Sequence, residues 1–391
     1  MSTATQSKQT LLVAILSLIG IGLLVAIFYA PVWWVSLTAP NYPPESFPDG
    51  VRIHFHMNGV FNGCEKQNKA EIQEEEALDC VHEMDTINHY VGMYPIAAGG
   101  PVERSFSQFL MVMLGIMLVG FVCTRPKLRM IIMGVSFAAL TVWMYLAIYA
   151  DGGFHLLNKG YVSALVTSLD QEATGEAKEP EIVIGGIVGS LKHSLEESGV
   201  EVVLPSQRGK PKASGKDSLI EQLKVTFERD QQKQTGGAPW NGSTFQVMAW
   251  HYAKSLGRYF NNPAEIKPMV KNLKLAVNVV FAGLVAAMLL LLFGARKNGG
   301  VLYWLLIVVP MALPIFFVID YSAWLWWYGH TLNDMGAFSV KPFMPTVFGD
   351  GKVAQFATHS YPYIGFGLML VLSLVLAVAA LVRIKQFKER D

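Results

Sequence analysis

Long apolar runs separated by hydrophilic segments are the main pattern along the chain. A helix needs on the order of 20 apolar residues to cross about 30 Å of hydrocarbon, and six runs approach or exceed that length. Because lipid offers no hydrogen-bond partner to an open backbone, each run is predicted to be a helix. The six predicted spans are Leu11–Trp34, Phe106–Cys123, Leu128–Tyr149, Leu275–Phe293, Val301–Val318 and Ile364–Val382.

These spans divide the chain into seven parts. The predicted fold class is a mainly α membrane protein with six transmembrane helices and three long hydrophilic segments, the first of which forms a small mixed α/β domain. In chain order, they are an N-terminus with the first span (1–34), the first segment (35–105), a helical hairpin (106–149), the second segment (150–274), a second hairpin (275–318), the third segment (319–363), and a last span with its tail (364–391).

The amino-acid composition supports a membrane protein and excludes several other classes. Hydrophobic residues make up 52% of the 391 positions and charged residues only 16%, whereas soluble domains carry roughly 25% charged residues. An ordinary soluble enzyme, a disordered chain and a protein with a nucleic-acid-binding tail are therefore excluded. The predicted partner of the apolar surface is the lipid bilayer.

Basic residues gather in the short connections and tails on one side of the predicted membrane. Ten Lys and Arg residues lie there against two acidic residues, Glu389 and Asp391, which makes this side cytoplasmic by the positive-inside rule. Both termini are then cytoplasmic, and the three hydrophilic segments lie on the opposite side of the membrane. The ten basic residues are Lys8, Arg125, Lys127, Arg129, Arg296, Lys297, Arg383, Lys385, Lys388 and Arg390.

The interiors of the predicted spans lack ionisable side chains. They contain no Asp, Glu, Lys, Arg or His except at their ends, whereas transporters and pumps generally keep such groups at membrane depth. This absence argues against transport. Pro310 and Pro314 interrupt the fifth span, where we expect a kink that neighbouring helices accommodate; the alternative is a helix broken at a substrate site.

The first hydrophilic segment is dense in residues that bind soft metals. Imidazole, thioether and thiolate groups are the ligands that copper selects, and the usual haem, zinc and metalloprotease motifs do not accompany them. We therefore predict a candidate copper site, with more potential ligands than one ion binds at once. The candidates are His54, His56, Met57, Cys64, Cys80, His82, Met84, His89 and Met93.

Each group of candidate ligands also has a purely structural interpretation. The alternation around His54 and His56 predicts a strand that places both on one face, about 7 Å apart, either as ligands or as the polar edge of a small β-rich domain. Cys64 and Cys80 either bind metal or form a disulfide in an oxidising compartment. Residues 89–93 belong either to the metal site or to a turn packed on the membrane surface.

The first segment is also strongly acidic. Between Glu45 and Arg104 it has eleven acidic and four basic residues, a net charge of about −7. Such a field attracts cations or a basic protein such as a soluble electron carrier. For the run Glu71–Glu76 alone, the favoured interpretation is the solvated face of a helix.

The second and third segments add predicted helices and further candidate ligands. Periodicity predicts helices over Asp217–Gln232 and Thr244–Phe260, the latter with an aromatic surface for the membrane or a partner. In the third segment, Pro342 and Pro345 predict a rigid loop pressed to the membrane. Additional ligands that would complete a metal site or a carrier-docking surface there are His330, Met335 and His359.

Two stretches resemble a known family. Asp85–Met93 (Asp-Thr-Ile-Asn-His-Tyr-Val-Gly-Met), and Tyr328–Asn333 followed by Lys341–Pro345 (Lys-Pro-Phe-Met-Pro), resemble poorly characterised bacterial multi-pass membrane proteins that accompany nitrous-oxide reductase systems. The sequence departs from that family at Met335, where the family pattern has a proline. The resemblance implies copper-linked respiratory work outside the cytoplasmic membrane.

The favoured function is an accessory role rather than an enzymatic one. We predict an inner-membrane protein that binds or relays copper, or docks an electron-transfer partner, for a periplasmic or membrane-bound copper enzyme. The expected partners are other subunits of a membrane or periplasmic redox complex, or a basic soluble electron carrier. The alternatives are a scaffold subunit without a metal site of its own and a transporter whose pathway is lined by backbone and hydroxyl groups.

Overall fold

The apolar runs of the sequence form helices, and a small sheet is built between them. The structure, a computed structural model, describes residues 3–40, 42–43, 47–64, 80, 100–176, 215–233, 238–256, 264, 266–294, 296–331, 342–353 and 356–389. The described part of the chain is mainly α, as the sequence predicts.

Ten α-helices are formed by the described residues. They are α1 (Thr3–Tyr29), α2 (Pro101–Val122), α3 (Pro126–Tyr149), α4 (Lys159–Glu176), α5 (Lys216–Lys233), α6 (Thr244–His251), α7 (Ile266–Gly294), α8 (Val301–Met311), α9 (Leu313–Thr331) and α10 (Ile364–Lys388). A 3-10 turn over Gly153–Leu156 follows α3, and a π turn over Tyr252–Leu256 extends α6. The two helices predicted in the second segment are confirmed as α5 and α6, while 257–260 lie outside the described residues.

Several helices are long and apolar enough to cross a membrane, so the chain is a multi-pass membrane protein. Among the described residues these are α1, α2, α3, α7 and α10, and the bent pair of α8 and α9 makes a sixth candidate. The predicted end of the first span is wrong. Helix α1 stops at Tyr29, and Trp33 and Trp34 lie in a strand. Pro31, between them, has no N–H to continue the helix.

The fifth predicted span is broken rather than gently kinked. Helices α8 and α9 meet at Ala312 with a bend of 64°. Pro314 lacks the N–H that would continue the helical hydrogen bonds, and its ring clashes with the preceding turn. The predicted end at Val318 is also wrong, because α9 continues through the start of the third hydrophilic segment to Thr331.

A five-stranded antiparallel sheet joins parts of the chain that are distant in sequence. The strands are β1 (Trp33–Thr38), β2 (Val51–His56), β3 (Gly59–Asn62), β4 (Gly349–Val353) and β5 (Phe356–Pro362), in the spatial order β3-β2-β1-β5-β4. Strand β1 pairs with β2 on one side and with β5 on the other. The first and third segments therefore share one sheet. Pro342 and Pro345 lie in a loop, as predicted, but the third segment also supplies β4 and β5, which were not predicted.

One face of this sheet packs on helix α9. Val51, Ile53 and Phe55 alternate along β2 and are buried, as expected for a strand with one covered face. They form a hydrophobic cluster with Tyr321 and Leu325 of α9. Helix α9, which follows the bend, thus lies beneath the sheet. This apolar contact holds the sheet against the helical part of the protein.

At the opposite end of the helices, two buried arginines cap the C-terminus of α2. The guanidinium of Arg383 donates from Nη2 to the carbonyl oxygens of Phe121 (3.0 Å) and Val122 (2.9 Å). Arg129 donates from Nη1 to the oxygen of Cys123 at 3.2 Å. The last carbonyls of a helix have no partner within the helix and carry partial negative charge, so these cations are favourably placed.

A network of amide side chains ties the sheet to the second segment. Asn58, in the turn between β2 and β3, donates to Oδ1 of Asn158 at 2.9 Å. The Asn158 backbone N–H donates to Oε1 of Gln108 on α2 at 2.8 Å. The first segment therefore contacts the second through this network and the third through the sheet.

Candidate functional site

The outer face of the sheet, defined as the face away from α9, carries a row of aromatic rings. The strand register aligns Phe61, His54, Trp34 and Tyr361 across four strands. The rings of Trp34 and Tyr361 lie 5.4 Å apart. We call these four residues the aromatic row. Aromatic residues on a strand surface pack well across neighbouring strands, which fixes their orientation.

Arg52 lies beside the aromatic row and holds it in place. Its guanidinium carbon is 4.1 Å from the centre of the Trp34 ring and 5.7 Å from that of Tyr363. Asp49 forms an ion pair with it at 3.5 Å. A guanidinium stacked on aromatic faces is a common feature of recognition surfaces, since it combines charge with a flat, weakly hydrated group.

His54 is placed poorly for binding a metal ion. Burial, aided by the charge of Arg52 and by His56, lowers the pKa of His54 to about 4, and its ring stacks on Tyr363 at 5.2 Å. Nitrogen Nε2 is buried and has no hydrogen-bond partner among the residues that the structure describes. The backbone of Gly63 covers this edge, because a methyl group added there would lie 3.0 Å from Nε2. A cation bound here would also lie close to the Arg52 charge.

His56 and Met57 take structural roles. The prediction that His54 and His56 share one strand face is confirmed by the alternating burial of β2. His56 hydrogen-bonds the backbone of Tyr29 at the end of α1, burial lowers its pKa, and its ring meets Phe61 edge-on at 5.1 Å. Met57 packs against the main hydrophobic core. Both side chains therefore stabilise the junction of the sheet and the helices.

Cys64 and Cys80 form a disulfide bond. This is one of the two alternatives that the sequence left open, and it removes both thiolates as metal ligands. The bond joins the end of the β2–β3 hairpin to Cys80, whose Sγ lies 3.4 Å from the backbone oxygen of Gly50. It links Cys80 to the end of the hairpin and reduces the freedom of the unfolded chain.

The two candidate histidines of the third segment also have other partners. His359 donates from Nδ1 to Asp350 at 2.6 Å, and Thr38 Oγ1 lies 3.2 Å from its Nε2. Both ring nitrogens are thus used within the sheet. His330 donates from Nδ1 to the backbone oxygen of Trp326 at 2.7 Å and stacks on that ring at 4.4 Å.

The structure does not bring the described candidate ligands together. In the part of the chain that it describes, no group of three or more His, Cys, Asp or Glu residues is placed to hold a metal ion. His54 and His359 are two strands apart, about 10 Å across the sheet, whereas metal–nitrogen bonds are about 2 Å. The candidates that lie outside the described residues are His82, Met84, His89, Met93 and Met335.

Two features of this region were not predicted from the sequence. The apolar run hid Trp34 within the first predicted span, although a Trp pair after Pro31 is compatible with an aromatic strand. The second feature is Arg104, which was predicted to lie in a hydrophilic segment. In the structure it lies in the first turns of α2 and is buried. A cation near a helix N-terminus opposes the helix dipole, which is the signal that sets Arg104 apart.

Comparison with known proteins supplies no identification. No protein-family model matches the chain, and neither curated proteins nor solved structures give a match.

Proposed function

We propose that the chain is an integral-membrane accessory protein whose sheet docks a soluble electron-transfer protein on the extracytoplasmic side. The copper-linked respiratory setting comes from the family resemblance, and the docking role from the geometry. The observation that carries the proposal is the aromatic row with Arg52 at its side. Aromatic residues and arginine are the residue types that contribute most to binding energy at protein interfaces.

The proposed orientation rests on two features at opposite ends of the molecule. The sheet carries the disulfide of Cys64 and Cys80, and disulfides form in extracytoplasmic compartments. At the other end, Arg129 and Arg383 cap α2, near the connections that hold most of the basic residues. This arrangement agrees with the positive-inside rule.

The proposed partner is basic, because the first segment is acidic. Its net charge of about −7 over 45–104 attracts a cationic protein and raises the rate of encounter. The aromatic row then supplies the contact that holds the partner. A carrier bound in this way associates transiently and dissociates as salt is added, whereas a permanent scaffold subunit stays bound at high salt.

Binding of a basic carrier provides the test. We expect cytochrome c, used as a basic soluble probe, to bind the full-length protein in nanodiscs, with weaker binding at higher salt. Trp34→Ala is expected to raise the dissociation constant by about 30-fold, since a central aromatic residue contributes about 2 kcal/mol. The control is Trp326→Ala, an exposed tryptophan on α9 rather than on the outer face of the sheet.

Two results would contradict the docking proposal. One is equal loss of binding in both tryptophan variants, which would indicate a general apolar effect. The other is binding of the carrier that does not respond to Trp34→Ala. Thermal unfolding of each variant in the same nanodiscs checks that the fold is retained.

Copper binding remains a prediction that depends mainly on residues 81–99, outside the described part of the chain. We expect the double change of His54 and His56 to alanine to leave the copper content of the purified protein unchanged, because both rings are engaged in packing. Elemental analysis of the purified full-length protein measures this. Loss of about one equivalent of copper on that change would show that these histidines bind the ion.

A further inference from the structure

A buried arginine lies where α2 meets the second hydrophilic segment. Arg104 is only 7% exposed and is within the first turns of α2, which begins at Pro101. Burying a guanidinium removes its hydration, and the loss is normally offset by hydrogen bonds or by an anion. The surroundings of Arg104 therefore indicate what it binds.

One edge of this guanidinium has no partner. The nitrogens Nε and Nη2 are both buried, and neither makes a hydrogen bond to a residue that the structure describes. These two N–H groups point in parallel and form the edge that receives two oxygens of one carboxylate or phosphate. This unpartnered edge thus has the donor geometry of an oxyanion site.

A second unpartnered donor lies beside it. Tyr161 on α4 is 1% exposed, and its hydroxyl has no hydrogen-bond partner. Arg104 and Tyr161 interact electrostatically, and burial raises the pKa of this phenol to about 12, so it stays neutral and able to donate. Two buried side chains from different elements, which interact electrostatically, therefore offer three donors without a partner among the described residues.

The remaining neighbours do not neutralise the charge of Arg104. Burial, together with Arg104, lowers the pKa of His251 to about 3, so this buried ring is neutral. The ring nitrogen Nε2 of His251 lies 3.3 Å from the carbonyl oxygen of Leu165. Glu103 also interacts electrostatically with Arg104, but it is exposed and its carboxylate lies against Gly100 at the start of α2.

From these contacts we propose that Arg104 and Tyr161 form a binding site for an oxyanion of the phosphate type. The oxyanion accepts from Nε and Nη2 of Arg104 and from the hydroxyl of Tyr161. The N-terminus of α2, whose dipole is positive, adds to the attraction. The ligand supplies the negative charge that the described surroundings of Arg104 lack.

The phosphate has two chemically equivalent sources, a free ion and a lipid headgroup. A cavity of about 600 Å³ lies between α1, α2 and α3 and is lined largely by apolar side chains. Its polar end includes Gln108 and Asn158. Gln108 lies four residues after Arg104, and Asn158 lies three residues before Tyr161. One helical turn thus separates the oxyanion site from a cavity that fits a lipid chain.

Thermal unfolding of the delipidated full-length protein in detergent tests the site. The probes are inorganic phosphate against chloride at equal ionic strength, and dioleoylphosphatidylglycerol against dioleoylglycerol, which has the same chains without phosphate. We expect phosphate or the phospholipid to raise the unfolding midpoint by about 3 °C or more near saturation. Arg104→Met is expected to abolish this shift, and Tyr161→Phe to weaken the apparent affinity about tenfold.

Each outcome decides the proposal. A shift with inorganic phosphate assigns a free-ion site, and a shift with the phospholipid alone assigns a headgroup site. The matched control is Lys385→Met, an exposed cation on α10, which should keep the full response. The proposal is overturned if the wild-type protein responds to neither probe, or if Tyr161→Phe and Arg104→Met respond as the wild type does. Should Arg104→Met fail to fold, Tyr161→Phe alone decides the result.

Discussion

Replacing Trp33 by alanine is expected to lower the free energy of unfolding by about 3–5 kcal/mol, the range for a large aromatic residue removed from a core. The buried Trp33 ring lies 5.9 Å from Phe317, 5.7 Å from Tyr321 and 5.4 Å from Phe366. Its indole N–H donates to Ser360 Oγ at 2.9 Å. One side chain thus joins β1 to β5, α9 and α10, and its loss is expected to release the sheet from the helices.

Two further variants separate packing from hydrogen bonding. Trp33→Phe keeps most of the ring contacts and loses the bond to Ser360, so a loss of about 1–2 kcal/mol is expected. Trp34→Ala, on the outer face of the same strand, is expected to cost less than Trp33→Ala. Denaturant titration in detergent measures all three. Equal losses for the two alanine variants would show that Trp33 does not join the sheet to the helices.

Replacing Arg383 by alanine is expected to cost about 3 kcal/mol or more. The Arg383 side chain is fully buried, donates to the oxygens of Phe121 and Val122, and donates to Gln386 Oε1 at 2.6 Å. Hydrogen bonds that involve a charged group contribute about 1.5–3 kcal/mol each. Without Arg383, two terminal carbonyls of α2 lose their charged partner. Lysine at this position supplies the charge but not the planar fork, so Arg383→Lys is expected to recover only part of the loss.

The matched control for Arg383 lies two residues along the same helix. Lys385 is 71% exposed, and its ion pair with Glu389 is long, at 3.9 Å. Because exposed ion pairs contribute little, Lys385→Ala is expected to change the free energy of unfolding by less than about 0.5 kcal/mol. Unfolding in detergent, followed by tryptophan fluorescence, compares the two variants. A loss for Arg383→Ala no larger than that for Lys385→Ala would contradict the capping role.

The helical part of the fold was predictable because its signal is local. A run such as Leu128–Tyr149 has the length and apolarity of a span whatever the rest of the chain does, and helix α3 covers Pro126–Tyr149. The break between α8 and α9 was less predictable. Pro310 and Pro314 indicate a disturbance but do not give the size of the bend, and nothing local to them indicates that α9 packs against a sheet.

The sheet was harder to predict because its pairing is long-range. Strand β1 pairs with β5, so that Trp33 faces Pro362 and Leu37 faces Thr358, more than 300 positions away. Hydrophobic periodicity carries no information about such partners. The apolar run through Trp33 also continues directly from α1, which makes the strand look like the end of the helix.

The candidate site was predicted in composition but not in geometry. Soft ligands are abundant in the first segment, yet residue counts cannot distinguish a thiolate from half of a disulfide, or a free imidazole from one stacked on Tyr363. The contacts of His359 with Thr38 and Asp350 depend on strand register. Arg104 became notable only once its burial and its open edge were known.

Labelling of Cys123 tests most directly whether the sheet lies across the membrane from the basic helix ends. Cys64 and Cys80 are joined, so Cys123, which is partly exposed near Arg125 and Arg129, is the remaining thiol of the three cysteines. In intact spheroplasts, a membrane-impermeant thiol reagent is expected to leave the protein unlabelled. Permeabilising the membrane is expected to allow labelling of Cys123, and an impermeant reductant, which opens the disulfide, is expected to allow labelling of Cys64 and Cys80. Labelling of Cys123 in intact spheroplasts without reductant would place the basic ends outside and contradict the proposed extracytoplasmic sheet.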